Sequence, residues 1–266
     1  MTDMQTIQVN GVGLELQRLT APPGLPMRAP LVFLHEGLGS VAMWRDWPRQ
    51  LCNATGRAGI VYSRQGYGGS DSVADVRGPS CEQDGAHTGR LRPDYMHREA
   101  WTVLPALLQA LGIERPVLIG HSDGGSIALL HAARHALEAC VVMAPHVIVE
   151  DISLRSIAAA RDAYESGALR ERLARYHADV DTAFWQWNDV WLSDGFRGFD
   201  IRPECRAITA PVLALQGEDD PYGSLAQIQE IEPAGPMARL ALPACGHSPH
   251  RDQPERTTAA IRDFLG

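Results

Sequence analysis

Six short, continuously apolar runs, at residues 31–34, 60–62, 117–119, 140–143, 212–215 and 240–242, set what this chain can fold into. Runs this short with no polar alternation read as strands buried on both faces. Segments with helical spacing lie among them, at 44–52, 95–111, 124–135 and 257–264. Strands alternating with helices predict an α/β fold: a mostly parallel central sheet flanked by helices. At the start, residues 6–9 and 12–19 flank Asn10-Gly11 and read as a hairpin.

Two stretches interrupt the alternation. Residues 71–93 are polar and rich in Gly, Pro and Asp, which predicts a long loop. Residues 145–206 carry helical patterns at 152–164, 169–176 and 182–192 between two predicted strands. They read as a helical cap insertion over the C-terminal edge of the sheet, where open α/β sheets bind ligands. The expected division is a core of 1–144 and 207–266 with a cap of 145–206, all in one folding unit. Trp185, Trp187 and Trp191 cannot share one helix face, so one or two of them should reach the cleft and make it apolar.

The strongest chemical signal is Gly120-His121-Ser122-Asp123-Gly124-Gly125, directly after one predicted strand and before a helix. This is the G-x-S-x-G nucleophile elbow in its strand–turn–helix setting. The turn needs small neighbours, lifts the serine Oγ above the sheet and places it at a helix N-terminus. The N–H of Asp123 can then face a developing oxyanion. A serine hydroxyl needs a base. Of ten histidines, His247 is placed for it, on the loop after the last predicted strand. The acid that orients the base should follow the preceding strand, where Glu218, Asp219 and Asp220 compete. Asp220 is the choice and Asp219 the reserve.

Phe33-Leu34-His35, Gly66-Tyr67-Gly68-Gly69-Ser70, the elbow, 217–221 and Gly246-His247 together resemble the α/β-hydrolase superfamily, in the branch with a helical cap. The resemblance implies the α/β-hydrolase fold and an acid third after the glycine, which is Asp220. It also implies that the segment at His35 supplies the second oxyanion-hole N–H, at Gly37 beside that of Asp123. This chain departs from the family at His35-Glu36, where His-Gly is usual. A carboxylate there opposes negative charge on the substrate, so Glu36 either faces solvent or is neutralised. Arg64 is the expected partner. Asp123 either biases His247 or points to solvent. His35, Glu36, His121, Trp185, Trp187 and Trp191 are the expected substrate contacts.

Composition narrows the alternatives. A formal net charge of -8 over 266 residues argues against nucleic acid or anionic membrane as partner. The five cysteines form no closely spaced pair, which fits a reducing, cytoplasmic setting. The first residues carry no signal-peptide pattern. His131 and His135 have a metal-compatible spacing but read as a helix face. No metal or organic cofactor is expected. The expected partner is a small-molecule substrate, with the chain a monomer or homodimer. The function expected is hydrolysis of a small, partly apolar carboxylic ester or lactone through an acyl-enzyme on Ser122. C–C bond hydrolysis of ring-cleavage products, peracid formation, or ligand binding without catalysis would use the same fold.

Overall fold

The computed structural model describes residues 3–83 and 86–266. Among the described residues there are ten strands: β1 Asp3–Val9, β2 Val12–Leu19, β3 Leu31–Leu34, β4 Gly59–Tyr62, β5 Cys81–Gln83, β6 Ala86–Thr88, β7 Val117–His121, β8 Ala139–Met143, β9 Val212–Gly217 and β10 Met237–Leu242. Eight of them form one sheet in the order β1-β2-β4-β3-β7-β8-β9-β10. The β1–β2 and β2–β4 pairs are antiparallel and the rest parallel. Asn10 and Gly11, with φ of 52° and 79°, make the tight turn of the first hairpin.

The apolar runs do sit at the centre. Val32 and Leu34 face one core with Leu118 and Val142, while Leu31 and Phe33 face a second with Ile119 and Met143. Successive side chains alternate across a strand, and helices cover both faces, so every residue of β3, β7 and β8 is buried. The covering helices include α1 Trp47–Thr55, α2 Tyr95–Arg98, α3 Leu104–Leu111 and α4 Asp123–Ala132. A π-helical turn, Glu99–Val103, joins α2 to α3. His131 of α4 donates from Nδ1 to the carbonyl of Ala100 in that turn, at 2.8 Å, and stacks on His135.

Residues 145–206 carry α5 Asp151–Glu165, α6 Ala168–Leu173 and α7 Val180–Trp191. Asp179 caps α7, accepting from the N–H of Thr182 at 2.9 Å. The Tyr164 and Phe184 rings stack at 3.7 Å to hold α5 against α7. Polar contacts fasten this insertion to the core. His177 accepts from the N–H of Gly68 at 2.9 Å and donates to the carbonyl of Leu38 at 3.0 Å. Arg77 reaches across to Asp189 of the insertion, which Arg161 also holds from within it.

The stretch 71–93 is more ordered than its polarity predicts. It contains the antiparallel pair β5–β6; Asp84 and Gly85, within the predicted loop, lie outside the described residues, as do Met1 and Thr2. Gln65 acts as a substitute strand neighbour for β6, giving and taking one hydrogen bond with the backbone of His87. Among the described residues no helix is long and apolar enough to cross a membrane.

Candidate active site

The sheet reverses its order between β3 and β7, and the C-terminal ends of these neighbours bring residue 35 beside residue 121. Ser122 lies between β7 and α4 with φ 53° and ψ −119°, a conformation a side chain rarely adopts. The neighbouring glycines are required by space. A Cβ on Gly120 would stand 2.3 Å from the Gly124 carbonyl oxygen, and one on Gly124 would stand 2.1 Å from that of Leu34. The N–H groups of Gly125 and Ser126 turn back onto the Ser122 carbonyl at 2.8 and 3.1 Å.

His247 meets its acid from the two last parallel strands. The loops after β9 and β10 close so tightly that a Cβ on Gly217 would lie 2.2 Å from the Cys245 and Gly246 carbonyl oxygens. That closure brings Nδ1 of His247 to 2.9 and 2.8 Å from the two carboxylate oxygens of Asp220. Asp220 also accepts from Gln216 Nε2 and from the N–H of Tyr222, each at 2.7 Å. Burial pushes its carboxyl up, but His247 and the Tyr222 N–H outweigh this and hold it below the usual range. Glu218 and Asp219 are exposed. Of the three competing carboxylates, Asp220 is therefore the one that meets the imidazole.

Ser122 and His247 line one cavity of about 190 Å³, together with Glu36, Gly37, Leu38, His121, Asp123, His146, Ile157, Trp187, Trp191, Tyr222 and Ser248. A larger hollow of about 460 Å³ lies elsewhere, at Arg202, which pairs with Asp200 and Glu230. Trp187 and Trp191 line this cavity. Trp187 lies directly on Gly37, where a Cβ would be 2.1 Å from the indole Nε1.

Two expected contacts are corrected. Trp185 points the other way, its ring under the Arg77 guanidinium at 4.1 Å and edge-on to Tyr164. His35 is fully buried below the cavity: Nδ1 donates to the Glu36 carbonyl at 2.6 Å and Nε2 accepts from the N–H of Arg64 at 3.1 Å. Burial, then Arg64, keep the ring neutral with its pKa well below the ordinary value.

The expected Glu36–Arg64 ion pair does not form. Arg64 spends its donors on the backbone carbonyls of His35 and Glu36, at 2.8 and 3.2 Å. The Glu36 carboxylate instead faces His121 Nδ1 at 3.4 Å and Arg251 at 3.8 Å. Burial opposes its charge, yet His121, Arg251 and His250 hold its carboxyl well below the usual range. Asp123 points inward, accepting from the Tyr95 hydroxyl at 2.6 Å and Trp191 Nε1 at 3.3 Å, with Arg64 at 3.9 Å. Burial raises its carboxyl above the usual range, and Arg64, Tyr95 and Trp191 offset this only in part.

Sequence reasoning missed His146, Ile157 and Tyr222. His146 follows β8 at the same sheet edge as Ser122, a position that carried the signal. Its ring is buried, 5.9 Å from His247 and 4.8 Å from Trp191, and burial followed by His247 lowers its pKa to about 3. Tyr222 stacks obliquely at 4.7 Å on His247.

A family model described as the alpha/beta hydrolase family matches residues 31–260. The chain is similar to the sn-1-specific diacylglycerol lipase ABHD11 of Mus musculus, 24% identical over 88% of this chain and 80% of that protein. It is also similar to the 2-succinyl-6-hydroxy-2,4-cyclohexadiene-1-carboxylate synthase of Serratia proteamaculans, 26% identical over 61% of this chain and 72% of that one. Among solved structures, a membrane phospholipase A described as a bacterial virulence factor shares the fold, with a TM-score of 0.75 and 18% identity over 99% of this chain and 86% of that one.

Proposed function

Because the chain belongs to the alpha/beta hydrolase family, we propose that it is a serine hydrolase acting on a small, partly apolar carboxylic ester or lactone through an acyl-enzyme. One observation carries this reading: the strained Ser122 shares a cavity with His247, whose Nδ1 is held by the buried Asp220. Asp220 fixes the tautomer with the proton on Nδ1, leaving Nε2 to take the Ser122 proton. Ser122 Oγ attacks the carbonyl carbon, and the N–H groups of Gly37 and Asp123 receive the oxyanion. His247 protonates the leaving alcohol, then activates the water that releases the acid.

The helices of 145–206 act as a cap that closes the acyl side. Trp187, Trp191, Ile157 and Leu38 supply an apolar wall, which supports a partly apolar substrate. Turnover of a 4-nitrophenyl ester together with fluorophosphonate labelling tests the reading. Both should occur in the native protein and vanish in Ser122→Ala. Labelling that survives in Ser122→Ala refutes it.

A further inference from the structure

Another hollow, about 330 Å³, lies between α6 and the core, where Arg45, Arg172 and Arg251 stand over an apolar wall that includes Leu169, Leu173 and Tyr176. It adjoins the Ser122 cavity. Arg251 lines the one, Glu36 lines the other, and the two side chains are 3.8 Å apart, so the two hollows meet at this ion pair. Arg251 is fixed by donating to the carbonyl of Met43 at 2.7 Å.

What sets this hollow apart is that three guanidiniums gather around it. Elsewhere some arginines, such as Arg77, Arg161, Arg170 and Arg202, have a carboxylate within reach, and others, such as Arg49 and Arg155, have none among the described residues. Among the described residues Arg45 and Arg172 have neither an acidic partner nor a hydrogen-bond acceptor. Three guanidiniums around one hollow repel each other, and they do so in a chain whose net charge is -8. Arg45 also sits at φ 54° and ψ −136°, a costly backbone for a residue with a side chain.

We infer that this hollow is an anion subsite, and that the ester hydrolysed at Ser122 carries a carboxylate or phosphate that docks on Arg45, Arg172 and Arg251. The inference rests on the hydrolase reading above. Guanidiniums match the planar oxygens of such groups bidentately. The apolar wall takes the methylenes between anion and ester. Glu36 limits the reach of the anion, since a carboxylate carried past Arg251 meets like charge.

Chain-matched esters test this. 4-Nitrophenyl hydrogen adipate should be preferred over 4-nitrophenyl hexanoate if the anion is on the acyl side, and 4-acetoxybenzoate over phenyl acetate if it is on the leaving side. In Arg45→Ala/Arg172→Ala the preferred ratio of kcat/KM should fall about tenfold, through KM, with the neutral esters unchanged. Free phosphate should compete with the anionic ester and leave the neutral one alone. Equal inhibition of both makes the hollow an effector site and overturns the substrate assignment, as does a preference that survives the double variant or is absent from the native protein. Calorimetric binding of inorganic phosphate, lost in the double variant, reads the subsite without turnover. A native protein that binds no phosphate overturns it even if Ser122 labelling succeeds, and binding without labelling separates a failed hydrolase reading from a failed subsite.

Discussion

The His121 ring donates from Nε2 to the backbone carbonyl of His247 at 2.7 Å, while its Nδ1 faces Glu36. The residue before the nucleophile therefore holds the loop that carries the base. Because a carbonyl only accepts, Nε2 must keep its proton, and Glu36 faces the other nitrogen. We predict that His121→Phe lowers kcat on the order of tenfold, the scale for small misplacement of a reacting group, with KM little changed. His121→Gln should recover part of this. Steady-state kinetics decide it; a pure KM effect would make His121 a substrate contact.

Asp220→Asn should be the damaging change on its loop. The amide cannot select the His247 tautomer, and an equivalent change in another triad enzyme costs about 10⁴ in kcat. Asp219→Asn and Glu218→Gln should stay near wild type, since both side chains are exposed. A crippled Asp219→Asn beside a working Asp220→Asn contradicts the arrangement.

Gly37→Ala should cost activity through Trp187. The added methyl would lie 2.1 Å from the indole Nε1, so the ring has to leave the wall of the cavity. A loss of about tenfold or more in kcat/KM is expected, and Trp187→Ala in the same chain should restore part of it. No rescue would place the cost in the Gly37 backbone instead.

Trp187→Ala and Trp191→Ala should shift the preference among acyl chain lengths. Trp185→Ala should not, because its ring packs on Arg77 and Tyr164 away from the cavity. Its cost is stability, about 1 kcal/mol for the lost cation–π contact. A shifted chain-length profile in Trp185→Ala would overturn the assignment.

Stability should fall in mild acid. Burial lowers His87 and His131 to about 4 and His146 to about 3. An unfolded histidine titrates near 6.5, so below that pH the unfolded chain binds more protons than the folded one. The stabilisation is complete above about pH 6.5 and is lost as pH falls toward 4, each group contributing at most about 1.4 kcal/mol per pH unit in that window. Thermal midpoints at pH 7.5 and 5.5 check the direction; equal midpoints would mean these rings are already charged in the fold.

What was legible in the sequence was whatever the local chain dictates. The elbow declares itself because Gly120 and Gly124 are demanded by backbone contacts that no other residue tolerates. Asp220 was legible from its spacing after Gly217. The partner of Glu36 was not. Pairing of β3 with β4 placed Arg64 nearby, but adjacency says nothing of where a guanidinium points, and free carbonyls captured it. Trp187 and Trp191 are four apart and share a helix face, while Trp185 does not; that spacing held the answer without naming which face looked inward. The β5–β6 pair is three residues a side and polar, too short for periodicity to reveal.

A Cβ at Gly124 would strike the carbonyl oxygens of Leu34 and His35, at 2.1 and 2.7 Å. The turn that carries the nucleophile and the strand end that leads to Gly37 thus touch backbone to backbone, with no side chain between them to act as a cushion. Mechanically they are one part. A substitution elsewhere that tilts β3 moves the attacking oxygen and the proposed oxyanion donor together, which keeps their spacing. Slippage between attack and charge stabilisation has to come from the Trp187 side, so variants that retune this protein without disabling it should be sought on α7 rather than on the elbow.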